Sequence, residues 1–295
     1  LPGLGRIEME HEEGRRALAA REMSDNGSWL HATILQETYL NKPPGFSWLI
    51  LLASRLTGRL NEWSVRFPSA LATLTTALLV YSFAPEALCA RTRFLAAGVF
   101  LLTFMTSEKG RQGEIDAAFT LFVWASLWTA WSRLTPGARG AGWFLSGACL
   151  GGAFLLKGPP ALLFYYGTLI PYHWSRDRRS LRALLRIQGR IGLGFQAVVA
   201  IWLVPLVWRV GWQPLWETLI REIGRRGGSS PDFFKDHAKF IISLAGGMLP
   251  GILWLPAYFG RHRWEDENPW TREAITFLLG LWTAPLLFFL YFPGS

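Results

Sequence analysis

Residues 142–173, GWFLSGACLGGAFLLKGPPALLFYYGTLIPYH, decide the fold class of this chain. They hold two apolar runs, at about 142–156 and 160–173, that are separated by a short KGPP segment. Lys157 is the only residue of the stretch that carries a full charge at neutral pH. The runs approach the roughly 20 apolar residues that a helix needs to cross a hydrocarbon core about 30 Å thick. The stretch therefore predicts a membrane-embedded helical hairpin with a lysine at its turn.

Similar apolar runs recur along the chain and predict about eight transmembrane helices within residues 65–292. The composition agrees, because 51% of the residues are hydrophobic and only 17% are charged, a balance that is rare in soluble domains. We therefore expect one all-α, polytopic membrane domain over residues 1–295. The candidate spans lie at about 65–84, 92–107, 116–133, 142–156, 160–173, 191–210, 239–259 and 273–292.

Residues 1–60 precede the first candidate span and predict an external loop that carries juxtamembrane helices. The composition of residues 12–23 favours a short helix at the membrane surface. A second helix is expected to start after the proline pair of KPPG. Arg55 and Arg59 interrupt its apolar run, so we expect it at the interface or only partly inserted.

Positive charge is concentrated in a few loops and predicts the orientation. Segment 173–190 carries six arginines against one aspartate, which indicates a cytoplasmic loop. Alternation of sides then places residues 1–43, 107–116, 155–160 and 211–238 together on the opposite face. The net charge of +9 does not indicate a nucleic-acid partner, because the basic residues lie mainly between apolar runs.

The cysteines and the two ends of the chain also bear on what the sequence predicts. Cys89 and Cys149 show no CxxC or histidine spacing, so neither predicts a metal or redox site. The chain starts at Leu1 and ends just beyond an apolar run. We therefore expect a fragment that lacks its first membrane helix and its C-terminal part.

The segment HEEGRRALAAREM, residues 11–23, contains the first candidate site residues. Glu12 and Arg15 would share one face of a helix, with Glu13 beside them. A carboxylate next to a guanidinium suits a general base close to an anionic leaving group. The alternative interpretation is a solvated helix with ordinary ion pairs.

Lys42, before the proline pair, and Lys157, in the KGPP turn, are expected on the same external face. A lysine at the membrane boundary either binds an anion or extends its ammonium group to water. Both interpretations remain open for these lysines.

Two further loops contain candidate residues. Glu114 and Asp116 precede an apolar helix, where Asp116 either caps the helix or belongs to a site. In the external amphipathic loop at 211–238, the arginines can hold a phosphate or simply be solvated. The further candidates in that loop are Glu222, Arg225 and Arg226.

Five motifs in serial order resemble those of the GT-C glycosyltransferases related to bacterial aminoarabinose transferases and protein O-mannosyltransferases. The resemblance covers roughly residues 1–260. It implies a GT-C-type helix bundle in a bacterial inner membrane, with the active site facing the periplasm. The motifs are EEGRRALAAREM (12–23), NKPPGFSWL (41–49), NEWSVRFPSAL (61–71), EIDAAFTLF (114–122) and LLKGPPALL (155–163).

The resemblance implies a role for each matching residue. Glu12 stands where the family usually has the catalytic Asp, and Glu10 offers an alternative register. Asp116 matches the acid of the second external loop. The carrier phosphate would be bound by Arg15, Lys42 and Lys157.

The resemblance also bears on cofactors. Aminoarabinose transferases hold zinc with a Glu before KPP and a His in the external amphipathic helix. This chain has Asn41 and Ile223 at those places. We therefore expect no metal and no other cofactor, since a single hard ligand would not hold zinc.

The implied activity is transfer of a sugar from a polyprenyl-phosphate donor to a hydroxyl of a lipid, glycan or protein, with inversion at the anomeric carbon. Membrane lipids and this donor are the expected partners, and the acceptor stays open. A transporter or lipid flippase is an alternative, as is a catalytically inactive relative. A transporter would place charged or helix-breaking residues in mid-helix, whereas here they lie mostly in loops of one face.

Overall fold

The computed structural model describes residues 3–5, 8–9, 12–83, 88–134, 142–176, 181–227, 233–249 and 269–291. Over these ranges the chain is a bundle of α-helices with one β-hairpin, so the predicted helical class is confirmed. The strands are β1 (Ala32–Ile34) and β2 (Glu37–Tyr39). The helices are α1 (Glu12–Asp25), α2 (Gly45–Thr57), α3 (Glu62–Ser82), α4 (Ala90–Leu102), α5 (Phe104–Lys109), α6 (Ile115–Trp131), α7 (Gly142–Lys157), α8 (Pro160–Arg176), α9 (Leu181–Val210), α10 (Trp212–Gly227), α11 (Phe233–Gly247) and α12 (Pro269–Tyr291).

The hairpin predicted from residues 142–173 is formed by α7 and α8. Helix α7 ends at Lys157, and the N–H of Gly158 donates to the carbonyl oxygen of Phe154 at 2.8 Å. Gly158 has a φ of 76°, a left-handed conformation that glycine adopts at little cost. Pro160 then opens α8, where its missing N–H is not needed.

Most helices match the predicted spans within a few residues, with three differences. The segment at 92–107 is divided at Thr103, whose extended ψ of 128° separates α4 from α5. Helix α9 begins at Leu181 rather than at 191, so residues 181–190 of the arginine-rich segment are helical. Helix α11 ends at Gly247, and the rest of the predicted span at 239–259 lies largely outside the described residues.

Within the described residues, only the segment Arg182–Val210 of α9 has both the length and the apolar composition to cross a membrane. Shorter apolar helices lie at Gly45–Thr57, Ile115–Trp131, Gly142–Lys157 and Glu273–Leu287. The number of transmembrane helices therefore stays a prediction.

Close backbone contact between α7 and α9 fixes the helix that carries Lys157. A Cβ atom on Gly147 would overlap the carbonyl group of Ile191, and one on Gly194 would overlap that of Phe144. Small residues at such an interface let helix backbones approach each other closely, as is common in membrane bundles. The main core extends from these helices to α6, α8 and α12 and includes Leu127, Leu150, Tyr165 and Phe277.

The β-hairpin after α1 was not predicted from the sequence. Leu35 and Gln36 form its two-residue turn, with φ values of 54° and 65°, although neither is glycine. The carboxylate of Glu22 accepts hydrogen bonds from both of their N–H groups, at 2.8 and 3.2 Å, and from the Thr33 hydroxyl at 2.6 Å. These bonds, with that of Thr33 first, lower the pKa of Glu22. A buried acid of α1 thus holds the turn.

Two indole groups fasten the chain between α1 and this hairpin to the bundle. Trp48 of α2 donates to the carbonyl oxygen of Trp29 at 2.9 Å. Trp202 of α9 donates to the carbonyl oxygen of Leu30 at 2.6 Å. Because these bonds reach two separate helices, they define where the loop lies above the bundle.

Candidate active site

Glu12 lies at the first turn of α1, at an accessible position. Its carboxylate contacts Arg15 at 3.0 Å and Arg16 at 3.2 Å. The Glu12 side chain keeps 43% of its surface exposed. The structure therefore confirms that Glu12 and Arg15 lie on one face of α1 and are in contact. The catalytic role of Glu12 stays a prediction.

Glu13, the next residue, points into the protein and is 3% exposed. Both of its carboxylate oxygens accept hydrogen bonds from Arg66 of α3, at 2.8 and 2.7 Å. Arg66 also donates to the carbonyl oxygens of Leu4 and Glu8, at 2.7 and 2.9 Å. Such bidentate pairing satisfies two buried charges at once. The pair joins α1 to α3 and the chain before α1.

Arg66 was missed as a functional candidate, although a signal was present. It stands within the apolar run predicted at 65–84, where an ionisable residue usually has a specific partner. The sequence does not say which acid that partner is, because Glu13 lies 53 residues away.

The loop before α6 is fastened to the same buried pair. The N–H of Gly113 donates to Glu13 Oε1 at 2.5 Å, and a Cβ atom on Gly113 would overlap Val65. The Ser69 hydroxyl donates to the carbonyl oxygen of Glu114 at 2.8 Å. The start of α6, with its two acids, is thereby held against α3.

Asp116 contacts Lys157, which confirms that their two loops meet. The distance from Lys157 Nζ to Asp116 Oδ1 is 2.5 Å. The N-cap residue of α6 is Glu114, whose side chain makes no capping bond, and Asp116 lies in the first turn. The interpretation of Asp116 as a helix cap is therefore wrong. Lys157 also lies 5.6 Å from the ring centre of Phe119.

Glu114 lies close enough to the other acids for their charges to influence it. Burial raises the pKa of its carboxyl group, Lys109 opposes this rise, and the charge of Asp116 adds to it. Weaker effects come from Arg16, which lowers the pKa, and from Glu12, which raises it. Lys109 Nζ lies 3.9 Å from Glu114 Oε1. Three of the predicted acids therefore lie near the same cations. The acids are Glu12, Glu114 and Asp116, and the cations include Arg16 and Lys109.

Arg16 was also missed, since the sequence analysis chose its neighbour Arg15. Its side chain is only 12% exposed and lies among the acids. Its Nε atom is buried and has no hydrogen-bond partner among the described residues. A buried donor of this kind is costly unless a ligand or water satisfies it. Arg16 is therefore a further anion-binding candidate.

Lys42 and Lys157 border one cavity of about 430 Å³. Its walls come from α7, α8, α9 and α10 and are largely apolar. Glu12, Arg15 and Asp116 are not among its lining residues, and of these three Asp116 contacts a lining residue, Lys157. The apolar lining comprises Leu40, Pro43, Phe154, Pro159, Pro160, Leu163, Trp202, Leu203, Trp212, Leu215, Trp216 and Leu219.

Gly45 explains why residues so distant in sequence meet at this cavity. A Cβ atom at Gly45 would lie 2.5 Å from the carbonyl oxygen of Leu155. Without a side chain there, the start of α2 packs directly on the last turn of α7. The glycine of KPPG therefore brings Lys42 next to Lys157.

Several predicted site residues have side chains outside the described part of the structure. Helix α10 confirms the amphipathic helix within 211–238, but the side chains of Glu222, Ile223, Arg225 and Arg226 lie outside what the structure describes. The same holds for Glu10.

The zinc question also stays open. Asn41 lines the cavity beside Lys42 and offers a neutral amide in place of a carboxylate. In the described ranges, no three His, Cys, Asp or Glu side chains group as metal ligands. The absence of zinc remains a prediction.

The fold and the group of charges at its end define a class, the GT-C type of membrane glycosyltransferase fold. Two crystal structures of ArnT from Cupriavidus metallidurans share this fold. The form bound to undecaprenyl phosphate superposes with a TM-score of 0.82 at 24% identity, covering 99% of this chain and 52% of that one. The apo form gives a TM-score of 0.79 at 22% identity, with the same coverage.

Sequence comparison identifies the family. Residues 41–208 match the family described as dolichyl-phosphate-mannose-protein mannosyltransferase, and the chain belongs to it. A relative from Pseudomonas aeruginosa, undecaprenyl phosphate-alpha-4-amino-4-deoxy-L-arabinose arabinosyl transferase, is 30% identical over 94% of this chain. The Aeromonas salmonicida protein of the same name is 30% identical over 96%. The chain spans about half the length of these relatives, 50% and 52% respectively.

Proposed function

We propose that this protein is an integral-membrane glycosyltransferase that moves a sugar from a polyprenyl-phosphate carrier to an acceptor hydroxyl. The observation that carries the proposal is the largely apolar cavity that Lys42 and Lys157 border, together with the contact between Lys157 and Asp116. A lipid phosphate needs this combination of cations for its head and an apolar surface for its tail. The names of the relatives support the donor class.

Binding of the carrier would use both parts of the cavity. Lys42 and Lys157 neutralise the phosphate, and the isoprenoid chain lies along the apolar walls formed by Trp202, Leu215 and Leu219. Apolar area removed from water contributes roughly 25 cal/mol per Å². The tail therefore supplies much of the affinity, while the lysines fix the position of the phosphate.

The transfer step would use the exposed acid. Glu12 accepts the proton of the acceptor hydroxyl while its oxygen attacks the anomeric carbon. The bond from that carbon to the phosphate oxygen breaks, and its electron pair leaves with the carrier phosphate. Because attack and departure are in line, the anomeric configuration inverts. Asp116 assists this step, because it contacts Lys157, which in this proposal binds the carrier phosphate.

The cations would stabilise the leaving group. Arg15 and Arg16 now contact Glu12, and the unpaired Nε of Arg16 is a donor that can turn to an anion. Negative charge that develops on the carrier phosphate is stabilised most when donors are already in place. This arrangement involves no nucleotide and no metal.

The membrane arrangement belongs to the same proposal. We infer about eight transmembrane helices in a bacterial inner membrane, with the cavity facing the periplasm, because the arginine-rich segment 173–190 predicts a cytoplasmic loop and the KGPP turn lies one predicted span before it. The acceptor stays open among lipid, glycan and protein hydroxyls. A transporter or flippase, or an inactive relative, is the competing function.

A transfer assay separates these functions. The full-length protein in detergent is incubated with a bacterial membrane extract as the source of acceptors and with radiolabelled aminoarabinose, and in parallel a labelled hexose, on a polyprenyl phosphate. We expect release of sugar from one of these carriers, reduced about 100-fold or more by Glu12→Gln. The exposed Glu37 provides a control, since Glu37→Gln should leave the rate unchanged. No release by the unaltered protein, or equal release by Glu12→Gln, would contradict the proposal.

A further inference from the structure

The far end of α1 borders a second, polar cavity of about 570 Å³ that plays no part in the proposed transfer. It lies between the last turns of α1 and α2. Three arginines line it, Arg21 from α1 and Arg55 and Arg59 from the end of α2. Arg21 stands nine residues after Glu12, which is about 13 Å along the helix. The cavity is therefore separate from the candidate active site.

The charge in this cavity is largely uncompensated. Asp25 is its one acidic lining residue and lies 3.6 Å from Arg21. Across the residues that the structure describes, the guanidinium groups of Arg55 and Arg59 contact no carboxylate. Arg55 instead lies 5.6 Å from the ring centre of Trp29. The lining therefore carries a net positive charge of about two and several free N–H donors.

The surface beside the cavity is apolar. Leu52 and Leu56 of α2 are 60% and 71% exposed and lie one turn apart, on either side of Arg55 in the sequence. Trp29 is also 44% exposed, and tryptophan is enriched at the boundary between lipid and water. Cations in a polar recess next to exposed leucines match a molecule with an anionic head and hydrocarbon chains.

A simpler role accounts for only part of this arrangement. A cation in the last turn of a helix complements the helix dipole, and Arg55 occupies that place in α2. That role needs one arginine. It does not require Arg59 beyond the left-handed Gly58, with a φ of 71°, nor Arg21 from a different helix. Convergence of all three on one recess calls for a shared anion.

We propose that the Arg21, Arg55 and Arg59 cavity binds the phosphate headgroup of a membrane lipid at the surface that also carries the candidate active site. The lipid's chains lie against Leu52 and Leu56. The guanidinium groups hold the phosphate by charge-assisted hydrogen bonds, which their planar donor pairs suit. The inference does not depend on the proposed transferase activity, because none of its residues belongs to that site.

Native mass spectrometry of the full-length protein in detergent tests this assignment, with dioleoyl phosphatidate as the lipid probe. The double variant Arg55→Gln/Arg59→Gln should raise the Kd of the most tightly bound phosphatidate molecule at least tenfold. The matched control is Arg182→Gln/Arg186→Gln, an exposed arginine pair with the same spacing on α9, beside exposed Leu185. That control should change the Kd less than twofold.

A second variant and two other probes complete the experiment. Should the double variant fail to fold, Arg21→Gln alone, which removes an exposed side chain, should raise the Kd about threefold. Inorganic phosphate should bind at least tenfold more weakly than phosphatidate, and phosphatidylcholine should be retained less. The proposal is overturned by an unchanged Kd in the arginine variants, by equal losses in both pairs, by inorganic phosphate binding as tightly as the lipid, or by equal retention of phosphatidylcholine.

Discussion

Glu12 and Glu13 are neighbours in the chain, yet their carboxylates lie in opposite environments. Glu13 is buried against Arg66 and the N–H of Gly113, whereas Glu12 stays accessible beside Arg15 and Arg16. Successive residues on a helix point about 100° apart, so one turn of α1 faces both the core and the solvent. The first region, which we call the anchor (Glu13, Arg66 and Gly113), holds three segments together. The second, the reaction face (Glu12, Glu114, Asp116 and Lys157), keeps its charges within reach of a ligand.

The difference teaches that charge in this molecule serves two separate purposes. In the anchor both carboxylate oxygens of Glu13 and all three nitrogens of the Arg66 guanidinium have partners within the protein, so this pair fixes the positions of the segments that it joins. On the reaction face the ion pairs of Glu12 and Asp116 are partly exposed, and a substrate anion can replace them. Substitutions in the anchor should therefore change stability, and those on the reaction face should change binding or turnover.

Arg66→Ala breaks the anchor and should have the largest effect. Removing one partner of a buried ion pair leaves the other charge uncompensated, which costs about 3 to 5 kcal/mol. We expect a large fall in the unfolding temperature and in the yield of folded protein, measured by a thermal shift assay in detergent. Arg15→Ala is the matched control, since an exposed pair contributes about 1 kcal/mol or less. Similar losses for both variants would remove the distinction between the two regions.

Lys157→Met tests the reaction face without touching the anchor. A charge-assisted hydrogen bond to a phosphate is worth about 1.5 to 3 kcal/mol, so the Kd for undecaprenyl phosphate should rise about 10-fold to 100-fold. Native mass spectrometry or calorimetry would measure it. The unfolding temperature should change little, because Asp116 is accessible and can be hydrated. Lys239→Met, at an exposed lysine of α11, should leave the Kd unchanged. Equal Kd values for Lys157→Met and the unaltered protein would contradict the assignment.

Gly45→Ala tests how the fold brings Lys42 to Lys157. The added methyl group overlaps the Leu155 carbonyl, and overpacking of this kind costs about 1 to 3 kcal/mol. We expect a lower unfolding temperature together with weaker binding of undecaprenyl phosphate, since α2 must move away from α7. Gly98→Ala is the control, because a Cβ atom at Gly98 meets nothing within 4 Å and alanine favours the helix. Unchanged binding by Gly45→Ala would show that the close approach is not needed.

Substitution of Glu114 should have the smallest effect, a change in how the unfolding temperature depends on pH. Burial raises its pKa above the ordinary 4.5, so the folded protein holds this proton more tightly than the unfolded chain. Its contribution to stability is complete below pH 4.5 and is lost as the pH rises through the raised pKa. Glu114→Gln should remove this part of the slope, measured as unfolding temperature against pH. An identical profile for variant and unaltered protein would contradict the raised pKa.

Local patterns in the sequence predicted local structure well. The KGPP turn, the helix from Glu12 and the Glu12 to Arg15 contact all depend on residues within one or two turns of each other. The helical hairpin followed from two apolar runs and a glycine-proline break. These features were predictable because short-range geometry alone decides them.

The rest depends on contacts between distant segments, which the sequence does not specify. The sequence around Arg66 does not predict that Glu13 is its partner. The KPPG motif likewise does not predict that Gly45 packs on Leu155. The β-hairpin was missed because its Leu35 and Gln36 turn lacks the glycine or asparagine that usually marks one. Glu22, from another element, supplies the hydrogen bonds that hold it.

Sugar release by Glu12→Gln and Glu13→Gln, compared side by side and normalised to folded protein, tests the central claim most directly. The account predicts that Glu12→Gln folds as well as the unaltered protein, while its rate of sugar release falls about 100-fold or more. It predicts that Glu13→Gln lowers the unfolding temperature while its folded fraction still releases sugar from the carrier. Full activity in Glu12→Gln, or loss of activity in well-folded Glu13→Gln, would contradict the division of roles between the two glutamates.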